Sequence, residues 1–285
     1  MILKTRSLTP QLKRIICDKA TEYPTTGVYN DFDEAGTYLC RQCGLALFRS
    51  QTKFHSGCGW PSFDEEIEGA VKYLPDPDGS RTEIVCARCQ AHLGHVFRGE
   101  QLTQKNTRHC VNSASLDFVT DLEVQDTEEA IYAGGCFWGV ESLFKKLPGV
   151  LKAESGYIGG QKDNPTYQDV CAGNTGHVEA VRVVYDPKKI TYEALTKYFF
   201  EIHDPTQANG QGPDLGEQYL SVVFYYDDTQ KKITEELIGE LKKKFSIATR
   251  VLPVSPFWPA EEYHQDYYAK TGKQPYCHRY VKRFD

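Results

Sequence analysis

Methionine is almost absent from this sequence: of 285 residues, only position 1 carries it. No internal thioether is left to oxidise, which would suit a chain working among oxidants, although genome bias gives the same count. Long apolar runs are also missing. None approaches the ~20 residues that cross a bilayer as a helix, and Met1-Ile2-Leu3-Lys4-Thr5-Arg6 lacks the apolar core of a signal peptide. A cytoplasmic location is therefore expected, unless a leader has been removed. Basic excess is absent as well: the net charge of −6 gives no stripe for a phosphate backbone, which argues against a nucleic-acid partner. Internal repeats and Gly/Ser tethers are lacking, and 285 residues exceed what one hydrophobic core commonly serves, so two domains are expected.

Cysteine, by contrast, is plentiful. Ten cysteines, unevenly spaced in a chain this long, do not resemble the disulfide framework of a small secreted domain; in a reducing compartment they suggest metal and redox work. Tyr38-Leu39-Cys40-Arg41-Gln42-Cys43-Gly44 and Ile84-Val85-Cys86-Ala87-Arg88-Cys89-Gln90 are two CxxC turns, each after a strand-like run. Four thiolates at two such turns match a closed tetrahedral zinc site. A thioredoxin-like pair at one of them is the rival reading, and the doubling favours one structural zinc ion.

Two further cysteines sit in sequences that read as chemistry. Gly134-Gly135-Cys136-Phe137-Trp138-Gly139 follows the strand-like Ala130–Ala133 and precedes an apolar period at Val140, Leu143, Phe144 and Leu147. Cys136 is therefore expected at a helix start, where the helix dipole and free backbone N–H groups favour a thiolate; a packed apolar cysteine is the alternative. In Arg108-His109-Cys110-Val111-Asn112, an extended chain puts Arg108, Cys110 and Asn112 on one face, with a cation and an amide flanking the thiol. His92 and His95 add imidazoles able to donate to a substrate oxygen. Cys17 and Cys171 are expected to be packed.

Between about residues 121 and 130 the chain turns acidic, and the expected division is 1–121, a short linker 122–129, and 130–285. In the second part, strand patterns at 153–157, 178–185, 219–226 and 248–254 mix with helical ones at 192–203, 229–245 and 260–270, which predicts an α/β or α+β two-layer sandwich with a mixed sheet. Glu179 shares a strand face with Val181 and Val183; if that face is buried, its carboxyl keeps a proton and can donate it. Cys277 lies in a tail containing glycine and proline that could carry a thiol to an active site.

The segment 7–120, with SGCGWPSF, the doubled CxxC, HLGHVF and RHCVNSASL in order, closely resembles the B-type methionine sulfoxide reductases. GGCFWG, GHVE, the NPTY segment and GEQY resemble the A-type peptide methionine sulfoxide reductases. The first resemblance implies a mainly-β domain of two antiparallel sheets with structural zinc and Cys110 as nucleophile. It makes Cys58 the resolving thiol, Trp60 and Phe97 the pocket walls, and His92, His95 and Asn112 the groups that orient the sulfoxide oxygen. The second implies Cys136 as nucleophile, Glu179 as acid, and Tyr167 and Tyr219 as further donors to the oxygen. Phe137 and Trp138 become the methyl-accepting wall, Asp214 a rim residue and Cys277 the resolving thiol. Leu220, where the A-type family usually has arginine, departs from the pattern. Together the two imply a bifunctional enzyme taking the R-epimer at Cys110 and the S-epimer at Cys136. Each site would pass through a sulfenic acid and an intradomain disulfide that a thioredoxin-type partner reduces, with no organic cofactor. The rival from another class is a zinc-stabilised interaction module fused to a thiol peroxidase or redox sensor.

Overall fold

The computed structural model describes residues 6–76 and 79–284, so the N-terminal residues 1–5 read above lie outside it. The chain forms two compact units, divided between Thr127 and Glu128.

In the first unit a short helix, α1 (Pro10–Ile16), capped by the Thr9 hydroxyl, precedes β1 (Thr37–Cys40), β2 (Ala46–Arg49), β3 (Lys53–Phe54), β4 (Ser62–Phe63), β5 (Val71–Pro75), β6 (Thr82–Cys86), β7 (His92–Arg98), β8 (Thr107–Val111) and β9 (Leu116–Val119). They make a three-stranded sheet in the order β2-β1-β9 and a six-stranded sheet in the order β3-β4-β8-β7-β6-β5, with every pair antiparallel. Tyr38, Leu47, Phe48, Phe63, Ile84, Leu93 and Leu116 fill the core between them.

The expected linker behaves differently over 122–127. Val124 is buried, Ala46 N–H donates to Gln125 O, Arg88 pairs with Asp126 at 2.7 Å, and the Thr127 hydroxyl donates to Gly44 O at 3.0 Å. These bonds make 122–127 part of the first unit. Gly44, at φ +77°, leaves room for Thr127 that a Cβ would take. Cys17, expected to be packed, is exposed: Ile16 is the buried residue of that turn, and Cys17 follows on the outer side.

The second unit holds β10 (Glu128–Gly134), α2 (Phe137–Phe144), β11 (Val150–Ile158), α3 (Tyr167–Cys171), β12 (Val178–Tyr185), α4 (Tyr192–Ile202), β13 (Gly210–Gln211), β14 (Asp214–Leu215), β15 (Ser221–Tyr225), α5 (Asp228–Leu241), β16 (Arg250–Pro253), β17 (Trp258–Pro259) and α6 (Tyr267–Thr271). Its mixed sheet runs β16-β15-β10-β12-β11-β17, and β15 and β16 form the parallel pair joined across α5. Side-chain caps start the helices: Thr191 for α4, Asp227 for α5, and a Thr166/Asp169 capping box for α3. One sheet face carries Tyr132, Val181, Val183 and Val223 against Phe144, Phe199, Phe200 and Leu237 from α2, α4 and α5. The other carries Ile131, Val178, Val222 and Phe224.

The helix expected over 260–270 is broken. A 3-10 turn (Glu262–His264) ends where Gln265 bonds Ser155 through its side chain, Asp266 adopts φ 56° and its N–H donates to the Glu141 carboxylate. Those tertiary partners replace the intrahelical ones, so the apolar period read from the sequence does not become a single helix.

Candidate active sites

In the first unit, β4 and β7 flank β8 and set the register of the site. Cys110 lies opposite Ser62 on one side and His95 on the other, and Arg108 lies opposite Phe97. A cavity of about 110 Å³ opens over these residues, lined by Trp60, His95, Phe97, Cys110 and Asn112 together with Thr21 and Arg81. Trp60 is fixed by its indole N–H, which donates to Glu22 O at 3.1 Å. Arg108 reaches Glu100 through two bonds of 2.7 and 2.8 Å and lies 4.3 Å over the Phe97 ring.

The Cys58 and Cys110 sulfurs are 3.7 Å apart. Hydrogen bonds from Cys110 and from the Ser56 and Ser62 hydroxyls outweigh burial and pull Cys58 down to about 4. Hydrogen bonding to Cys58 and burial push Cys110 up, while the Arg108 charge pulls the other way. The contact between the two sulfurs favours the charge on Cys58 over Cys110.

The two histidines do not play equal parts. His95 Nε2 lies 3.0 Å from Asp76 Oδ2, and Arg81 holds the same carboxylate at 3.1 Å. His92 is behind the wall and does not line the cavity: its Nδ1 meets Glu83 Oε1 at 2.7 Å, and Lys19 reaches the other Glu83 oxygen. Burial lowers its pKa. Asn112 lines the cavity, yet its Oδ1 accepts from Glu22 N–H and its Nδ2 donates to Leu93 O, which makes it a brace for the strap that carries Trp60's partner.

Cys17 aside, the remaining four cysteines of this unit meet at the ends of β1 and β6. Their sulfurs lie within 4.8 Å of one another, with Cys40–Cys89 and Cys43–Cys86 both at 3.6 Å. Tetrahedral bonds of 2.3 Å need sulfur–sulfur edges of about 3.8 Å, so the donor set fits zinc in chemistry and in size.

In the second unit β10 ends in the turn Gly134-Gly135, with Gly135 at φ 89°, and Cys136 is the N-cap of α2. Neighbouring β12 brings Glu179 onto the helix-covered face, where Oε2 accepts from Phe137 N–H at 3.1 Å. Burial, opposed by that N–H and aided by the Asp214 charge, raises Glu179 to about 8. Cys136 does not become the resting thiolate expected from its helix start. Burial and the Glu179 carboxyl push it up, and the Trp138 N–H offsets this only in part.

Around this pair Trp138 stacks on Tyr267 at 3.7 Å and donates its indole N–H to His264 Nδ1 at 3.0 Å. Phe137 and Tyr167 both pack on the His264 ring. Tyr219 is raised to about 12 by burial and so stays a phenol donor facing Glu179. Asp214 accepts from the Tyr276 hydroxyl through both oxygens at 2.9 Å. Cys277 is close enough for its charge to act on Cys136. Cys171, expected to be packed, is exposed and is bonded to Tyr167 and to Gln218 Nε2, because α3 turns that side outward.

The sequence reading did not single out Asp76, Glu83, Ser56, Ser62 or Glu22, nor His264, Tyr267, Tyr268 and Tyr276. The two serines were within the quoted SGCGWPSF, and the tyrosine-rich run at 263–268 was a visible cue; the acids carry no local signal. A cavity of about 600 Å³ lies on the far face of the second sheet, lined by Val178, Val222, Phe224 and Leu252, and none of the predicted residues line it.

In each unit a cysteine, half-buried Cys110 in the first and buried Cys136 in the second, has proton donors and aromatic walls around it and a second thiol nearby, the equipment of a thiol-dependent oxidoreductase. The peptide methionine sulfoxide reductase family matches residues 128–285, and the SelR domain matches residues 8–120. The chain belongs to the peptide methionine sulfoxide reductase family and joins an MsrB-type to an MsrA-type reductase. Peptide methionine sulfoxide reductase MsrA of Pasteurella multocida is 50% identical over 153 residues, covering 53% of this chain and 88% of the relative. The enzyme of the same name from Thermus thermophilus is 49% identical over 152 residues, covering 53% and 86%. Reduced Mxr1 from Saccharomyces cerevisiae superposes with a TM-score of 0.52 at 38% identity, covering 54% of this chain and 92% of that one. Among the described residues no helix is long and apolar enough to cross a membrane.

Proposed function

We propose that this methionine sulfoxide reductase divides the two epimers between two self-sufficient thiol sites, R at Cys110 and S at Cys136. The observation that carries the assignment is the pairing in the second unit of a buried carboxyl, held protonated up to about pH 8, with a buried cysteine at a helix start. Glu179 and the Tyr219 phenol donate to the sulfoxide oxygen, with Tyr167 beside them. As positive charge grows on the substrate sulfur, the Cys136 sulfur attacks it and the Cys136 proton replaces the one Glu179 gave to the oxygen. The S–O bond of the substrate and the new S–S bond then break as the oxygen, with its proton, passes to the Cys136 sulfur, leaving methionine and a sulfenic acid, so atoms and electrons balance. Phe137 and Trp138 wall the methyl group.

At Cys110 the Arg108 charge favours the thiolate as the sulfur attacks, and Cys58 waits 3.7 Å away as the resolving thiol. His95, held by Asp76, donates to the oxygen, with His92 fixing the wall behind it; Trp60 and Phe97 receive the methyl group. Cys58 and Cys277 then condense with the sulfenic acids, releasing water, and a thioredoxin-type dithiol reduces the disulfides by exchange. One zinc ion on Cys40, Cys43, Cys86 and Cys89 would tie β1 to β6 and supply no chemistry to the reaction. Mapping disulfides by mass spectrometry after one turnover without reductant tests the pairing. Cys58–Cys110 and Cys136–Cys277 are expected, and a disulfide joining the two units would contradict separate sites.

A further inference from the structure

After α6 the chain brings Tyr276, Cys277 and His278 back against the start of α2. The His278 ring is buried in a slot that glycines leave open: a Cβ on Gly139 would come within 2.2 Å of its Nδ1. Its Nε2 lies 2.7 Å from Gly134 O. A carbonyl oxygen only accepts, so Nε2 carries the hydrogen and, in the neutral ring, Nδ1 carries a free lone pair. That atom is 3.1 Å from Cys277 Sγ.

We propose that His278 is a catalytic base for the second half of the S-epimer reaction, taking the Cys277 proton as that thiol attacks the Cys136 sulfenic acid. The inference rests on Cys277 being the resolving thiol. The S–H bond of Cys277 breaks toward Nδ1, an S–S bond forms to Cys136, and the hydroxyl leaves and departs as water with the returned proton. One thiol and one sulfenic acid thus become one disulfide and one water, with no outside redox partner.

The surroundings explain why a base is needed. Burial, the Asp214 charge and a hydrogen bond to Asp214 push Cys277 up to about 12, so few molecules carry a thiolate at pH 7. Burial lowers His278 and keeps the ring neutral and able to accept, against the weaker pull of the Gly134 carbonyl. The ionisable groups facing the pair are Asp214, Tyr276, Tyr268, His203, Cys136 and Glu179. Asp214 also takes a hydrogen bond from the thiol, but both its oxygens already accept from the Tyr276 hydroxyl. As a carboxylate it is also a weaker base than an imidazole.

The test is a quenched single turnover of the full chain with S-epimer sulfoxide and no reductant, from pH 6 to 9. Disulfide formation is scored per site that has produced methionine. In the native protein the rate should be nearly independent of pH above 7. His278→Gln keeps a donor for Gly134 O but has nothing at the Nδ1 position. It should slow disulfide formation ten-fold or more at pH 7 and leave a rate that climbs about ten-fold per pH unit with the thiolate fraction. A native rate that already climbs in this way overturns the proposal, and so does a folded His278→Gln within two-fold of native. The native profile decides even if the variant fails to fold. Cys277→Ser separates the two readings: if Cys136 still forms a disulfide there, the resolving role fails and the base with it. If disulfide formation stops there while His278→Gln is as fast as native, only the base assignment fails.

Discussion

A carboxyl buried beside Cys136 and bonded by the Phe137 N–H, as Glu179 is, keeps its proton at neutral pH because the charged form loses more hydration than that one donor restores. Its pKa is raised from 4.5 to about 8, so between those values the folded chain binds more protons than the unfolded one and stability falls as pH rises. Glu179→Gln removes that slope. The variant should gain stability relative to the native chain at pH 8, by up to ~5 kcal/mol, as read from denaturant midpoints on either side of the window. It should lose S-epimer turnover by about 10²-fold or more while R-epimer turnover persists. In the native chain, S-epimer kcat/KM should decline above about pH 8, and a flat profile to pH 9.5 would remove Glu179 as the acid. At the other site, Cys58→Ser should release one equivalent of methionine from R-substrate and then stop. Continued cycling with thioredoxin would mean that another thiol resolves Cys110.

At the scale of elements, the two CxxC turns and the C-terminal strap do the positioning. The Cys40 and Cys86 turns end β1 and β6, and β6 is the neighbour of β7, which carries His95. Metal analysis should find about one zinc per chain. Stripping it with a chelator should cost R-epimer activity and spare S-epimer activity; a metal-free chain with full R-epimer activity would contradict the site. In the second unit, Gly139→Ala places a methyl group against the His278 ring and should displace the strap, at about 1–3 kcal/mol if α2 holds its place. Slower disulfide formation in single turnover is the readout. These elements were unequally legible in the sequence. The CxxC pairs, the strand of Glu179 and the helix after Cys136 were readable because each is written in contiguous residues of one period. The broken 262–271 segment was not, since it depends on Gln265 and Asp266 finding Ser155 and Glu141 more than a hundred residues away. For the same reason Asp76 behind His95 and Glu83 behind His92 were invisible. A carboxylate that orients an imidazole from another strand or from the turn after it has no signature in its own neighbourhood.

At the scale of the whole molecule, each unit carries its own proposed nucleophile and its own second thiol, and the proposed chemistry does not require one to pass a group to the other. The local motifs named both proposed nucleophiles, but the charge state of each depends on burial and tertiary neighbours. A helix start was expected to favour the Cys136 thiolate, and the desolvation of a buried sulfur outweighs it. Of the expected linker 122–129, residues 122–127 likewise close the first unit, where Asp126 and Thr127 have tertiary partners, and 128–129 begin β10. A chain of two separate reductases should exhaust racemic methionine sulfoxide, whereas either nucleophile alone should stop at half. The most direct test is therefore epimer-resolved turnover of Cys110→Ser and Cys136→Ser in the full chain. Cys136→Ser should lose S-epimer reduction and keep R, and Cys110→Ser should do the reverse; loss of both activities in either single variant would contradict two independent sites.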